Sequence, residues 1–149
     1  MMTIFNRLNM GRFTIRQLLA IFIVLITVVS CSNDDGLEIQ HNFPFEVEVM
    51  PVPKEIANGE TVEIRIILKQ SGNYRGTEYF IRYFQFEGEG SLRYADDPPY
   101  QPNDSYPLPA YQFRLYYTSE STVSQSFDIW ISDNFGNEEQ VNFQFNNKD

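Results

Sequence analysis

Few side chains in this 149-residue chain are equipped for chemistry. It has one cysteine, Cys31, and one histidine, His41. A nucleophile needs a base held beside it. His41 ends a polar stretch, residues 32–42, punctuated by Asn33, Gly36 and Asn42, and reads as a surface residue. A single cysteine excludes an intrachain disulfide and a cysteine-based metal site. No glycine-rich phosphate loop and no histidine metal spacing occurs. Asp96, Asp97 and Asp104 offer oxygens but lack the regular spacing of a calcium loop. Adjacency of Asp96 and Asp97 in a loop does not make a glycosidase pair. The expectation is a protein that is not an enzyme, with no catalytic residues, no metal and no cofactor.

Cys31 has a different chemistry available. Arg7, Arg12 and Arg16 precede it with no acidic residue among them, and residues 18–29 form an apolar run of about 12. A spanning helix needs roughly 20. The length therefore suits the core of an export signal rather than a permanent anchor. Met10 would give a more compact start to that signal. The residues Val28-Val29-Ser30-Cys31 resemble the bacterial lipobox, in which a small residue precedes a cysteine that becomes the lipid-bearing N-terminus. Val28 stands where that motif usually has leucine. Lipidation at Cys31 would tether the chain, since each buried CH₂ contributes about 0.8 kcal/mol. Ser32, Asn33, Asp34 and Asp35 follow. They resemble the surface-export signal of Bacteroidetes lipoproteins, and they read equally as a solvated tether.

These features divide the chain into a signal peptide (1–30), a lipidated cysteine with a flexible linker (31–42) and one domain (43–149). Removing the signal takes away three Arg and no acid, leaving eight basic and 20 acidic residues, or −12. So acidic a surface repels phosphate backbones, and nucleic acid is not an expected partner. Thirteen Phe and nine Tyr favour strands.

The domain must be built from strands, because alternation is its only sustained period. Residues 43–49 alternate apolar and charged, and Pro51 and Pro53 confine that strand to an edge. Asn58-Gly59 marks a turn. Residues 60–69 send Val62, Ile64, Ile66 and Leu68 to one side. Residues 77–86 place Tyr79, Ile81 and Tyr83 on one face and Phe80, Arg82, Phe84 and Phe86 on the other. Residues 91–94 offer a short strand. Five prolines in residues 95–112 predict a stiff loop without regular pairing. Further strands are expected at 113–118, 123–132 and 140–146, with a hairpin turn at 133–137. About seven short strands predict an all-β, immunoglobulin-like antiparallel β-sandwich. Residues 129–137 also resemble the F–G hairpin of bacterial immunoglobulin-like domains.

In immunoglobulin-like order, strand 77–86 lies beside 123–132, which lies beside 140–146. Phe80, Arg82, Phe84, Asp128, Trp130, Asn142 and Gln144 would then share one outward face, a candidate partner-binding surface. The competing expectation is that the proline-rich loop covers Trp130.

Longer stretches carry a family resemblance. They are Phe45-Glu46-Val47-Glu48-Val49-Met50-Pro51-Val52-Pro53-Lys54, Thr61-Val62-Glu63-Ile64-Arg65, Tyr83-Phe84-Gln85, Pro102-Asn103-Asp104-Ser105-Tyr106-Pro107-Leu108, Phe113-Arg114-Leu115-Tyr116-Tyr117-Thr118-Ser119 and Asp133-Asn134-Phe135-Gly136. Together they resemble the TraQ family of Bacteroides conjugative transposons across nearly the whole mature chain. That resemblance implies an outer-membrane lipoprotein of the cell envelope, on its surface or periplasmic side. It further implies an accessory or structural part in a type IV secretion-like transfer apparatus, with other conjugation proteins as partners and no catalytic residues to assign. The alternative class is a free-standing surface module that binds glycan or a recipient-cell ligand.

Overall fold

The computed structural model describes residues 40–148. Cys31 and residues 32–35 lie outside them, as does the signal. Nine strands follow one another: β1 (Phe45–Val49), β2 (Glu55–Ile56), β3 (Thr61–Gln70), β4 (Tyr79–Glu87), β5 (Gly90–Tyr94), β6 (Ser105–Leu108), β7 (Gln112–Ser119), β8 (Gln125–Asp133) and β9 (Glu138–Asn147). They form a four-stranded sheet in the order β1-β3-β7-β5 and a five-stranded sheet in the order β2-β9-β8-β4-β6. The first order is the ABED sheet of an immunoglobulin constant-type domain, and β9-β8-β4 is its GFC sheet. The expected sandwich is present, with β8 between β4 and β9.

Nine strands replace the expected seven because two short ones carry no alternation of their own. Pro51 and Pro53 end β1 on the first sheet. The chain then crosses to the second sheet, where β2 pairs in parallel with β9. It is the one parallel pair among the described strands. The second correction lies in the proline-rich segment, where residues 105–108 do pair, as β6 against β4. Pro107 sits opposite Phe80. It is tolerated because β6 is the sheet edge, where a missing N–H breaks no ladder. The rest of that segment closes the side of the sandwich. The Tyr100 amide donates to the Leu92 carbonyl on β5 (2.7 Å), and the Asn103 amide donates to the Tyr83 carbonyl on β4 (2.8 Å).

Alternation fills the space between the sheets. Val62, Ile64, Ile66 and Leu68 are buried from β3, Tyr79, Ile81 and Tyr83 from β4, and Phe127, Ile129 and Ile131 from β8. The Phe127 ring stacks on Tyr117 at 4.3 Å and on Phe143 at 5.0 Å. At one pole the core turns polar without leaving groups unpaired. The Tyr83 hydroxyl donates to Gln85 Oε1 (2.5 Å). Gln85 Nε2 donates to the Tyr117 hydroxyl (2.9 Å), which donates in turn to Gln125. Gln125 Nε2 completes the chain at Ser119 Oγ. Gly90 starts β5 against this cluster, and a Cβ there would stand 2.2 Å from the Tyr117 hydroxyl.

Two outcomes follow from this pole. Gly90→Ala must displace a buried ring, and overpacking of this kind costs about 1–3 kcal/mol, measurable by urea unfolding. Burial also raises the phenol of Tyr117 from its ordinary 10 to about 12, and raises that of Tyr83 further. Between those values the unfolded chain loses protons that the native chain keeps. Stability is therefore complete below about pH 10 and falls as pH rises toward 12. Tyrosinate absorbance should appear for these rings together with unfolding rather than before it.

Candidate functional site

The two outer faces of the sandwich differ in kind. On the four-stranded sheet, Glu63 meets Arg65 at 2.5 Å and Arg114 at 3.6 Å, and accepts a hydrogen bond from the Tyr116 hydroxyl. The hydrogen bond from Arg65 holds the Glu63 carboxyl below its ordinary range, although burial opposes it. Lys69 pairs with Glu48 at 2.7 Å, and the Arg93 guanidinium lies over the Tyr116 ring. These are solvent-exposed pairs that contribute little individually. Together they make a charge-matched, solvated surface.

The five-stranded sheet presents something else. Its strand registers set Arg82 beside Trp130 and Trp130 beside Gln140 in one row, and Phe84, Asp128 and Asn142 in the next. The seven residues expected on this face do come together there. Phe80, Arg82, Phe84 and Trp130 are half-buried, whereas Asn142 and Gln144 are exposed. The Arg82 guanidinium carbon lies 4.4 Å from the centre of the Trp130 ring, a cation–π contact. Phe84 and Phe86 meet edge to face at 4.9 Å, and Phe86 reaches Trp130 at 6.4 Å. The half-buried state of Trp130 is thus shared with residues of its own sheet.

Asp128 differs from expectation. It lies on the outer face yet is only 6% exposed. Asn142 Nδ2 donates to its Oδ1 at 2.6 Å and Gln140 Nε2 donates to its Oδ2. Its oxygens are already engaged, so it organises the face rather than offering itself to a partner. Two contributors stand outside the seven residues expected on this face. Gln140 follows from the alternation of β9 and could have been read there. Phe86 is 58% exposed and sits where the β4–β8 register shifts between Gln85 and Glu87. Alternation hints at its face but does not announce the irregularity.

Among the described residues, no group of three or more His, Cys, Asp or Glu side chains is placed to hold a metal ion. His41 is exposed and packs edge-on against Tyr74 at 4.7 Å. Asp96 pairs with Arg93 at 3.8 Å in solvent. Beside Phe80 lies an open groove of about 630 Å³ between the start of β4 and residues 107–111. Its walls include Tyr79, Leu108 and Tyr111, and Glu78 is its one carboxylate. Glycoside hydrolysis by carboxyl groups ordinarily needs a pair of them. What this surface can do is adhere, through aromatic area, one guanidinium and side-chain amides.

Fold and surface define an immunoglobulin-like β-sandwich with an aromatic outer face. The TraQ conjugal transfer protein model matches residues 14–148, and the chain belongs to that family. Three solved structures are each 50% identical to it. A conjugative transposon lipoprotein from Bacteroides eggerthii superposes with a TM-score of 0.67, over 71% of this chain and 100% of that one. A lipoprotein from Bacteroides thetaiotaomicron gives 0.66, over 77% and 88%. A conjugate transposon protein from Bacteroides vulgatus gives 0.64, over 76% and 93%. No curated protein matches the chain.

The engaged state of Asp128 has a measurable consequence. Asp128→Ala removes the acceptor of two amide hydrogen bonds; both amides are exposed and can turn to water, so stability should fall by about 1 kcal/mol. Asp128→Asn keeps one acceptor and should lose less. Equal stability of the alanine variant and the parent in urea would show that these hydrogen bonds do not hold the face.

Proposed function

We propose that this chain is a lipid-anchored component of the cell envelope that serves a conjugative transposon's transfer apparatus. It acts by binding other transfer proteins and not by catalysis. The observation that carries this reading is family membership together with 50% identity to a conjugative transposon lipoprotein matched over its full length. In this reading residues 1–30 are removed and Cys31 receives the lipid. Residues 31–42 are the tether, with residues 32–35 serving as export signal or spacer. Residues 43–149 are the working domain, held at the outer membrane. The described part of that domain supports a binding role, since its distinctive surface is aromatic and Asp128, the acid within that surface, is held by two side-chain amides. Its partners are proteins of the same apparatus, and neither cofactor, metal nor nucleic acid takes part.

The test is conjugation from donor cells that carry the element. Deleting the chain should lower transfer, and the wild-type chain should restore it. Cys31→Ala should leave the protein outside the membrane fraction and restore transfer poorly. Undiminished transfer after deletion would overturn the reading. It would favour a free-standing module for glycan or a recipient-cell ligand, whose attraction is the exposed ring of Phe86 beside Trp130.

A further inference from the structure

The outer face of the five-stranded sheet carries one feature beyond its aromatic area. Arg82 stands at its centre, and among the described residues no carboxylate lies within 4.0 Å of it. Arg65, Lys69, Arg93, Arg114 and Lys148 all have such partners. Asp128, one row from Arg82 on the outer face, is instead held by Gln140 and Asn142. The Arg82 guanidinium lies over the Trp130 ring, with the guanidinium carbon 4.4 Å from the ring centre. A stacked guanidinium keeps its N–H edges free to bind a carboxylate with two parallel hydrogen bonds. Phe84 and the exposed Phe86 flank the pair with apolar surface.

We propose that this face docks a protein segment that presents an aspartate or glutamate among apolar side chains, the carboxylate seating on Arg82 and the apolar neighbours on Phe84, Phe86 and the edge of Trp130. This rests on the reading of the chain as a protein-binding part of the transfer apparatus and names the chemistry of the partner. Charge complementarity selects that occupant. Burying an arginine in an interface without a counter-charge is costly, so an apolar partner alone would lose affinity. A second copy docked face to face would set Arg82 against Arg82, between domains (43–149) that each carry 17 acidic and eight basic residues, or −9. A sugar ring would compete with Arg82 for the ring of Trp130 that the guanidinium already covers. The acidity of the remaining surface repels the same carboxylate everywhere else. Arg82 therefore decides where the segment lands as well as how tightly.

The experiment uses the full lipidated chain in donor cells carrying the transposon, with Phe86 replaced by photoreactive p-benzoylphenylalanine. Irradiation should join it to a protein segment containing Asp or Glu among apolar residues. Arg82→Gln should reduce the adduct by about ten-fold or more, the scale expected for hydrogen bonds to a charged group. Arg82→Glu combined with Lys at the partner's acidic position should restore it, while Arg75→Glu, off this face, should change nothing. An adduct with a second copy, with glycan or with a segment lacking a carboxylate overturns the proposal. So does the absence of any adduct, or an adduct that persists in Arg82→Gln. Should Arg82→Gln fail to fold in a urea titration, Arg82→Lys is read instead. It keeps the charge and loses the planar fork, so it too should weaken the adduct. If deletion of the chain lowers transfer while a folded Arg82→Gln protein transfers normally, the docking site falls and the functional reading stands. If the Arg82-dependent adduct forms but deletion leaves transfer intact, the reverse holds.

Discussion

The register of the β8–β9 hairpin fixes the two faces of the second sheet, and the turn that joins the strands fixes that register. Asp133 ends β8 and uses its carboxylate as a template for the turn. Its Oδ1 accepts the backbone amides of Phe135 and Asn137, each at 2.9 Å, and its Oδ2 accepts the Asn137 side-chain amide at 2.6 Å. Gly136 completes the reversal at φ +91, a conformation that costs a glycine little. Side chains along a strand alternate with a period of two, so a slip by one residue would exchange every inward and outward position. Phe127, Ile129 and Ile131 would then meet water, and Asp128 and Trp130 would enter the core. The aromatic surface is the reverse side of the core's own pattern and depends on the same turn. Asn134 extends the constraint to β4. Its Oδ1 accepts the Glu78 amide and its Nδ2 donates to the Gly76 carbonyl, tying the hairpin to the strand that brings Arg82.

A sandwich with two open sheets has edges, and exposed edges recruit other strands. Here the edges are short or covered. At one end of the second sheet β2 has two residues, and at the other β6 carries Pro107. On the first sheet, the segment after β5 donates the Tyr100 amide to Leu92 and so occupies part of that strand's outer side. Tyr100 itself is buried and stacks on Tyr106 at 4.3 Å, and its phenol is raised chiefly by that burial. The prolines of residues 95–112 are thus not slack between strands. They stiffen a strap whose backbone satisfies both sheets.

What the sequence disclosed follows from what leaves a periodic trace. Long strands half-covered by a core must alternate, so β3, β4, β8 and β9 were legible with their inward residues, and the turn at 133–137 was legible from its residue types. β2 and β6 have two and four residues and owe their pairing to position in the fold. Proline chemistry at Pro107 pointed away from a strand that an edge permits. Alternation also placed Asp128 correctly outward but said nothing about its cover, because Gln140 and Asn142 approach it from another strand. Register across strands, not period along one, decides whether an outward side chain is available.

The contrast between the two outer faces is an argument about specificity. On the first sheet three of the described cations, Arg65, Arg114 and Lys69, already have carboxylates, and water competes well for such exposed pairs. A partner gains little by displacing them. On the second sheet the cation has an aromatic ring in place of an ion, and the nearby acid has amides in place of a cation. Separating Arg82 from Asp128 in this way leaves a positive site unsatisfied by charge while every strong hydrogen-bonding oxygen of Asp128 is engaged. On a chain with so large an excess of acid, such a site stands against the local field. Its value to binding lies in discrimination: most of the surface rejects an acidic segment, and one half-buried guanidinium admits it.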